Sequence, residues 1–412
     1  MKDTEFYAHI LNITRPWYVE NVILSKEKNR VDVYLMHENN IRFSCPDCDE
    51  LFSIYDHQEV ESVWRHLNTC QMDTYIHCRL PRVKCKDHGV KTILSDLAEP
   101  GSKKTILFES FIIDLEKECS FSATSRLIGI TWDEAKGVMV RSVRRGLERK
   151  PKKIPERIGI DEKAIKKGHV YETIVCDQES GFVDDILDDR EQVSLEKYYK
   201  KFEKQELATV KSVSMDMWQA YISATYAHIP NAKDKIVFDK FHVTGYIQKA
   251  VDEVRKEEHK DLMKQGFDLL KGTKYWWLRN NENIPEFNRE VFDTLRGMDL
   301  KVGRAWQLKE NFRYFWTYKS KAWAEKFFKK WYFWATHSRL EPMISAAKTI
   351  KNHIDNILTY FKHRVTNGLS EGINSNIEKI KRMAYGFSNR DNYKMAILFH
   401  CGGLDLYPRV SN

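Results

Sequence analysis

Three acidic residues in different local settings carry the chemistry this chain is equipped to perform. Asp161 closes the run Arg157-Ile158-Gly159-Ile160-Asp161, and Asp216 closes Val210-Lys211-Ser212-Val213-Ser214-Met215-Asp216. Glu371 stands far downstream, within Asn367-Gly368-Leu369-Ser370-Glu371-Gly372-Ile373-Asn374. Two aspartates at the ends of strand-like runs and one helical glutamate, if they converge, form an oxygen cage for hard divalent cations. Paired Mg²⁺ or Mn²⁺ ions in such a cage clamp the attacking and leaving oxygens of phosphoryl transfer, and the substrate is then nucleic acid. Asp239 competes with Asp216 for the second place, because it also ends an apolar run, Ile236-Val237-Phe238, and His242 follows it.

A second group of ligand-type residues lies near the start. Cys45-Pro46-Asp47-Cys48 and Cys85-Lys86-Asp87-His88 are two pairs at the same spacing. A turn of that size brings two ligands to one tetrahedral Zn²⁺, and two such turns close a structural site with no open position. Cys70, Cys78, His66 and His77 are competing ligands, but paired spacing is the more specific signal. Val60, Val63, Trp64, Tyr75, Ile76, Leu80 and Val83, between the pairs, are expected to supply the strands of a zinc ribbon.

These residues must be positioned by a chain of 412 residues, long enough for two to four domains. Hydrophobic residues make up 42% and charged residues 31%, which gives real cores under a charged surface. The net charge of +8 mildly favours a polyanionic partner. Neither a signal-peptide core nor a membrane-length apolar stretch is present in the sequence, so a cytoplasmic protein with no membrane partner is expected. No glycine-rich phosphate loop of the P-loop kind appears, and no nucleotide cofactor is expected.

Residues 104–148 read as three helices. Ser122 to Ile128 stops at Gly129, and Thr131 with Glu134 three residues on forms a capping box. Short helix, glycine turn and capped helix make a helix-turn-helix. Lys136, Arg141, Arg144, Arg145 and Arg149 on its last helix suit DNA phosphates. Lys150-Pro151-Lys152-Lys153-Ile154-Pro155 is a linker. Beyond it, strands over 157–163, 169–176 and 181–187 precede a helix over about 191–205 and a strand over 210–216. A helix over 217–228, a strand ending at Asp239 and a further helix complete the order β-β-β-α-β-α-β-α, that of the ribonuclease-H-like fold. In that fold the first and fourth strands are neighbours, which favours Asp216 over Asp239.

From about 250 to 360 no strand pattern appears. Seven of the eleven tryptophans fall there, interleaved with basic residues, so a helical domain with an aromatic core is expected. Some of those rings are candidates for stacking on unpaired bases. After it, Leu369, Ile373, Ile377, Ile380 and Ala384 form one helical stripe, with Glu371, Ser375, Glu378 and Arg382 opposite. A helix packed by that stripe points Glu371 away from its own core. Whether it meets the aspartates depends on the helix overhanging the sheet edge.

From the CxxC to Gly402 the chain resembles a DDE transposase of the bacterial ISL-three insertion-sequence family. The carriers are Gly159-Ile160-Asp161-Glu162-Lys163, Ser214-Met215-Asp216-Met217-Trp218, Phe238-Asp239-Lys240-Phe241-His242, and the block from Asn367 through Asn374 to Ala384-Tyr385-Gly386-Phe387. The resemblance implies a multidomain α+β protein. Its parts would be an N-terminal zinc ribbon (1–95), a helix-turn-helix (96–150), a ribonuclease-H-like catalytic domain (151–250), an all-helical insertion (251–360) and the glutamate helix (361–412). It makes Asp161, Asp216 and Glu371 the catalytic triad around two Mg²⁺ or Mn²⁺ ions. Arg382 in the glutamate block joins the DNA-binding set. Transposon-end DNA and target DNA are the implied partners, with a homodimer in the synaptic complex. His88 departs from a family pattern that often has a fourth cysteine, yet is an equally good zinc ligand. The competing readings are a domesticated transposase kept as a DNA-binding regulator and a ribonuclease-H-like host nuclease.

Overall fold

Val31, Val33 and Leu35 alternate with half-exposed neighbours along the strand Arg30–His37, and this period of two buries one face of it. The computed structural model to which the strand belongs describes residues 2–166, 170–364, 368–384, 386–387 and 389–409, without the side chains of 165, 166, 170, 368 and 371. It divides into two compact units, Met1–Lys150 with Ile380–Asn412, and Pro151–Lys379.

The strands of the first unit are β1 (Trp17–Ser25), β2 (Arg30–His37), β3 (Arg42–Ser44), β4 (Leu51–His57), β5 (Ser62–Thr69), β6 (Met72–Cys78), β7 (Pro81–Cys85) and β8 (Gly89–Thr92). They form two sheets, in the orders β1-β2-β6-β5 and β3-β4-β7-β8. This corrects one expectation. The middle of the segment between the two ligand pairs does not build the ligand-bearing sheet, since β5 and β6 join β1 and β2 instead. The physical reason is that β2 has an unpaired backbone edge beside β1, and a strand paired there satisfies it and extends the apolar face. β6 runs parallel to it, with fully buried Ile76 in register with fully buried Val33. The ligand-bearing sheet is built from the residues flanking each pair, β3 with β4 and β7 with β8.

Three helices follow, Ile106–Glu118, Phe121–Ile128 and Trp132–Arg149. Thr105, Ser120 and Thr131 each accept a hydrogen bond from the first-turn backbone, which fixes where each helix starts. Gly129 ends the second helix at φ +67°, a left-handed conformation that glycine adopts without strain. The expected capping box is present: Glu134 N donates to Thr131 Oγ1 at 3.2 Å and Thr131 N donates to Glu134 Oε2 at 2.9 Å. The third helix buries Ala135, Val138, Met139 and Val143 and packs against the first two and against the helix Arg390–Cys401.

Glu116 sits on the first of these helices at 1% exposure, with no hydrogen-bond partner on either carboxyl oxygen among the described residues. Burial, reinforced by the neighbouring Glu109 charge, pushes its pKa up to about 9. The folded protein therefore binds a proton at neutral pH that the unfolded chain has released. Stability should fall as pH rises from the unfolded carboxyl value of 4.5 toward about 9. Glu116→Gln, isosteric and never charged, is expected to raise neutral-pH stability by a few kcal/mol, on the order of one to three. It should also flatten the slope across that window in denaturant titrations, and an unchanged slope would show that the carboxyl is solvated.

The second unit is built on one mixed sheet of β9 (Arg157–Lys166), β10 (Val170–Asp177), β11 (Val183–Leu187), β12 (Ser212–Met215) and β13 (Ile236–Phe238), in the order β11-β10-β9-β12-β13. β9, β10 and β11 pair antiparallel, whereas β12 runs parallel to both β9 and β13. Where one helix was expected over 191–205 there are two, Gln192–Tyr199 and Lys204–Thr209. Gln219–His228 and the long helix Lys240–Lys264 follow β12 and β13.

The region after Lys264 is helical among the described residues, as its pattern implies. Trp277, Trp306, Trp316 and Trp331 are buried in a core shared with Phe292, Phe312, Phe315 and Phe328, whereas Trp323 and Trp334 are exposed. Glu258 ties this region to the long helix, accepting hydrogen bonds from Lys301 N (2.6 Å) and Val302 N (2.8 Å). The carboxylate thereby satisfies the free N–H groups at the start of helix Lys301–Phe312.

Candidate metal centres and active site

The register of the second sheet sets the height of every acidic residue. Gly159 of β9 is opposite Ser214 of β12, so Asp161 and Asp216 each stand two residues beyond a paired position. Met215 is opposite Phe238, which brings Asp239 to the same level one strand further out. β12 and β13 end at this level, whereas β9 runs on to Lys166, so Asp161 stands within its strand beside the edge formed by Asp216 and Asp239.

Asp161, Asp216 and His242 offer one ligand atom each within 4.8 Å of one another. His242 comes from the first turn of helix Lys240–Lys264, and its Nε2 lies 2.8 Å from Asp216 Oδ1 and 3.8 Å from Asp239 Oδ2. The hydrogen bond to Asp216 raises the imidazole pKa against the opposing effect of burial. Burial and the Asp216 charge both push the Asp161 carboxyl up. Two carboxylates pressed together with one imidazole form a donor set short of positive charge, which suits a divalent cation. Asp239 has another occupation: its Oδ1 accepts from Phe241 N at 3.2 Å, capping the helix, and its side chain is only 5% exposed.

The helix Gly368–Met383 reaches this edge with its polar side. Asn374 Nδ2 donates to Asp161 Oδ2 at 2.5 Å, and Lys163 Nζ pairs with Glu378 Oε1 at 2.9 Å. Ile373, Ile377 and Ile380 of the expected apolar stripe are buried, but Leu369 is exposed. The polar side is thus not turned wholly to solvent: Asn374 and Glu378 meet β9 itself. Glu371 belongs to this helix, and its side chain lies outside the described residues, as do Asn367 and Tyr385. Gly159 has a local reason, because a Cβ there would stand 2.6 Å from Cys176 Sγ. The strand below Asp161 thus packs tightly against β10.

Sequence reasoning named Asn374 only as part of the block around Glu371 and gave it no role of its own, though it lies one helical turn after Glu371. It also missed Arg190, whose guanidinium lies between the rings of Tyr171 (4.4 Å) and Trp218 (4.6 Å) and reaches Glu162 at 3.3 Å. No spacing in the sequence connects Arg190 with those rings.

In the first unit Cys45, Cys48, Cys85 and His88 converge, with ligand atoms within 4.8 Å. The Sγ atoms of Cys48 and Cys85 are 3.7 Å apart, and His88 Nδ1 lies 3.5 Å from Cys85 Sγ and 3.9 Å from Cys45 Sγ. Tetrahedral Zn–S and Zn–N bonds of about 2.3 and 2.05 Å require separations of about 3.8 Å between sulfurs and about 3.6 Å from sulfur to nitrogen. The residues fit zinc. The competing ligands are engaged elsewhere or lie apart: His77 between Asp32 and Glu61, His66 with Thr105, Cys78 buried in β6 and Cys70 exposed at a turn.

Of the basic residues expected at DNA, Arg144 and Arg382 are exposed and Lys136 is half-buried beside the Trp132 ring. Arg141 is partly exposed and pairs with Glu109 at 2.9 Å. Arg145 departs from expectation. It is 8% exposed, bound to Glu99 (2.5 Å) and Glu109 (2.6 Å), and donates to the Leu406 carbonyl. Its guanidinium holds the helix to the C-terminal segment and has no free face for a phosphate. Arg149 likewise donates to the Tyr407 carbonyl at 2.6 Å.

Comparison with known proteins agrees with this geometry. Residues 158–397 match a family model described as transposase, of the ISL3 DDE type. Residues 41–88 match the zinc-finger of transposase IS204/IS1001/IS1096/IS1165. Among curated relatives, the transposase for insertion sequence element IS1557 of Mycobacterium tuberculosis is 23% identical, covering 94% of this chain and 93% of its own length. The transposase for insertion sequence element IS1001 of Bordetella parapertussis is 26% identical over 69% of this chain and 70% of its own. No helix among the described residues is long and apolar enough to cross a membrane. With each of the two model matches containing one of the two ligand clusters, and the first spanning more than half of the sequence, this chain belongs to the ISL3 family of DDE transposases.

Proposed function

We propose that the protein binds the ends of an insertion sequence and catalyses metal-dependent strand cleavage and strand transfer into target DNA. The observation that carries the reading is the meeting of Asp161, Asp216 and His242 at one edge of the sheet beneath the Gly368–Met383 helix. The strand order and register support a ribonuclease-H-like catalytic domain over 151–250. The helical insertion would span 251–360, and 361–412 would contribute the third carboxylate. Glu371 precedes Asn374, the residue that touches Asp161, by three residues on the same helix. Asp161, Asp216 and Glu371 are therefore the proposed catalytic set, with His242 beside Asp216.

Two Mg²⁺ or Mn²⁺ ions held by these residues would supply Lewis acidity to the attacking and leaving oxygens. The side chains set the stage for it. Asn374 fixes the orientation of Asp161 through its amide, and His242 does the same for Asp216. Water attacks the phosphodiester at the element's end and frees a 3′-hydroxyl. That hydroxyl then attacks a target phosphodiester, so one bond forms as one breaks and no nucleoside triphosphate is consumed. The experiment that tests this is joining: the full chain with Mg²⁺ or Mn²⁺ must link a 3′-hydroxyl donor strand to a target duplex and lose that activity when the Asp161 carboxylate is neutralised.

The zinc ribbon within 1–95 and the helix-turn-helix within 96–150 are proposed as the modules that read transposon ends, in a protein acting as a dimer. Lys136, Arg141, Arg144 and Arg382 remain as phosphate contacts once Arg145 is assigned to the fold. Exchanging Lys136, Arg141 and Arg144 for glutamine together should weaken binding to every DNA. The slope of log affinity against log salt should become shallower by up to about one unit per lost contact. An unaltered slope would move the DNA-binding surface elsewhere.

A further inference from the structure

Beside His242 lies an open trough of about 440 Å³, formed by Phe241, His242, Gly245, Tyr246 and Lys249 on the solvent side of helix Lys240–Lys264. The opposite side of that helix buries Val243, Ile247, Ala250 and Val251, so its orientation is fixed by the core. Phe241 is 59% exposed and Tyr246 39% exposed, two rings held out beside the metal site with no core to serve. Gly245 forms the floor between them. A Cβ at this position would meet nothing within 4 Å, and the backbone is ordinary helix, so neither packing nor conformation calls for glycine. Glycine inside a helix is disfavoured against almost any other residue, and here its return is open space.

We infer that this trough seats the unpaired DNA strand running from the scissile phosphate, with Phe241 and Tyr246 stacking its bases and Lys249 taking a phosphate beyond them. The inference rests on the transposase reading of the metal site, with which the trough is continuous through His242. Positions 242 and 249 are separated by about 10 Å along the helix, room for a short run of nucleotides. Charge supports a polyanion: Lys249 is exposed at the far end of the trough and has no ion pair among the described residues. Exposed rings favour an unpaired strand over a duplex, because only unpaired bases offer their faces for stacking.

The test measures affinity of the full chain for a fluorescently labelled oligothymidylate strand by anisotropy, with a blunt duplex in parallel and Ca²⁺ as the divalent ion. Gly245→Gln fills the trough from its floor. It should keep or raise the thermal midpoint, because glutamine favours helix, while single-strand affinity falls about tenfold. Phe241→Ala should weaken single-strand binding by about tenfold or more and leave the duplex little affected. Unchanged single-strand affinity in Gly245→Gln overturns the proposal, and so does an equal loss on the duplex. The Asp161→Asn protein provides a separate arm: if it still joins strands, the metal-site reading fails, whatever the trough variants show.

Discussion

Asp161→Asn and Asp216→Asn are each expected to lose at least about a thousandfold of strand cleavage and strand transfer, while the fold stays intact. Each change keeps side-chain volume and removes one negative charge from the donor set. Hard divalent ions depend on anionic oxygens, so the cage weakens and both chemical steps fail together. The Asp161 carboxyl is held up by burial and by the Asp216 charge, so neutralising it relieves repulsion in the metal-free protein. The Asp161→Asn thermal midpoint without metal should therefore match or exceed that of the parent. An inactive variant that is as stable as the parent is the pattern expected of a functional site held under electrostatic strain. Glu371→Gln is expected to follow the two aspartates in activity. Asp239→Asn is the internal control, because its amide oxygen can still accept from Phe241 N and keep the helix cap. If Asp239→Asn abolishes joining with its fold intact while Asp216→Asn retains it, the second carboxylate is Asp239. If both aspartate variants and Glu371→Gln still join DNA with Mg²⁺, the mechanism is wrong.

The Cys45→Ser/Cys48→Ser protein should contain no bound zinc and should lose the folded N-terminal β module. Structural zinc contributes about 10–16 kcal/mol of apparent binding energy in small zinc modules. That matches or exceeds the whole stability of about 5–15 kcal/mol typical of a domain. The loss is not confined to the β3-β4-β7-β8 sheet. Cys45, Cys85 and Val83 belong to the same hydrophobic cluster as Val31, Val33, Trp64 and Ile76 of the other sheet. Elemental analysis and limited proteolysis read the two effects separately. Full zinc occupancy in the double variant would reject the site. Zinc loss with the module still resistant to protease would show that the shared apolar core suffices without metal.

Much of this protein was legible in its residues because the relevant signals are local. The paired spacing of Cys45/Cys48 and Cys85/His88 is a property of two short turns, and those four residues do converge. Thr131, Glu134 and Gly129 fix a helix start and a helix stop through hydrogen bonds spanning three residues, and both are found where expected. Asp161 and Asp216 each follow a short apolar run of β9 and β12 that is continuous in sequence, although β9 itself continues to Lys166. Four of the seven tryptophans after residue 250 form a core, as a helical region dense in aromatics requires.

What the tertiary structure alone decided is long-range pairing. β5 and β6 go to the sheet of β1 and β2 because a strand edge formed tens of residues earlier needs hydrogen-bonding partners, and no pattern within the segment records that need. Arg145 looks like its neighbours Arg141 and Arg144 in sequence. It is removed from the surface because Glu99, Glu109 and the Leu406 carbonyl arrive from distant positions to satisfy a buried guanidinium. The level at which Asp161, Asp216 and Asp239 stand is set by the register of parallel strands, and Asn374 meets Asp161 from more than two hundred residues away. Spacing along the chain determines which residues share a turn or a face. Which faces meet is decided by burial and hydrogen-bond satisfaction summed over the whole fold, and that sum exists only once the chain has closed on itself.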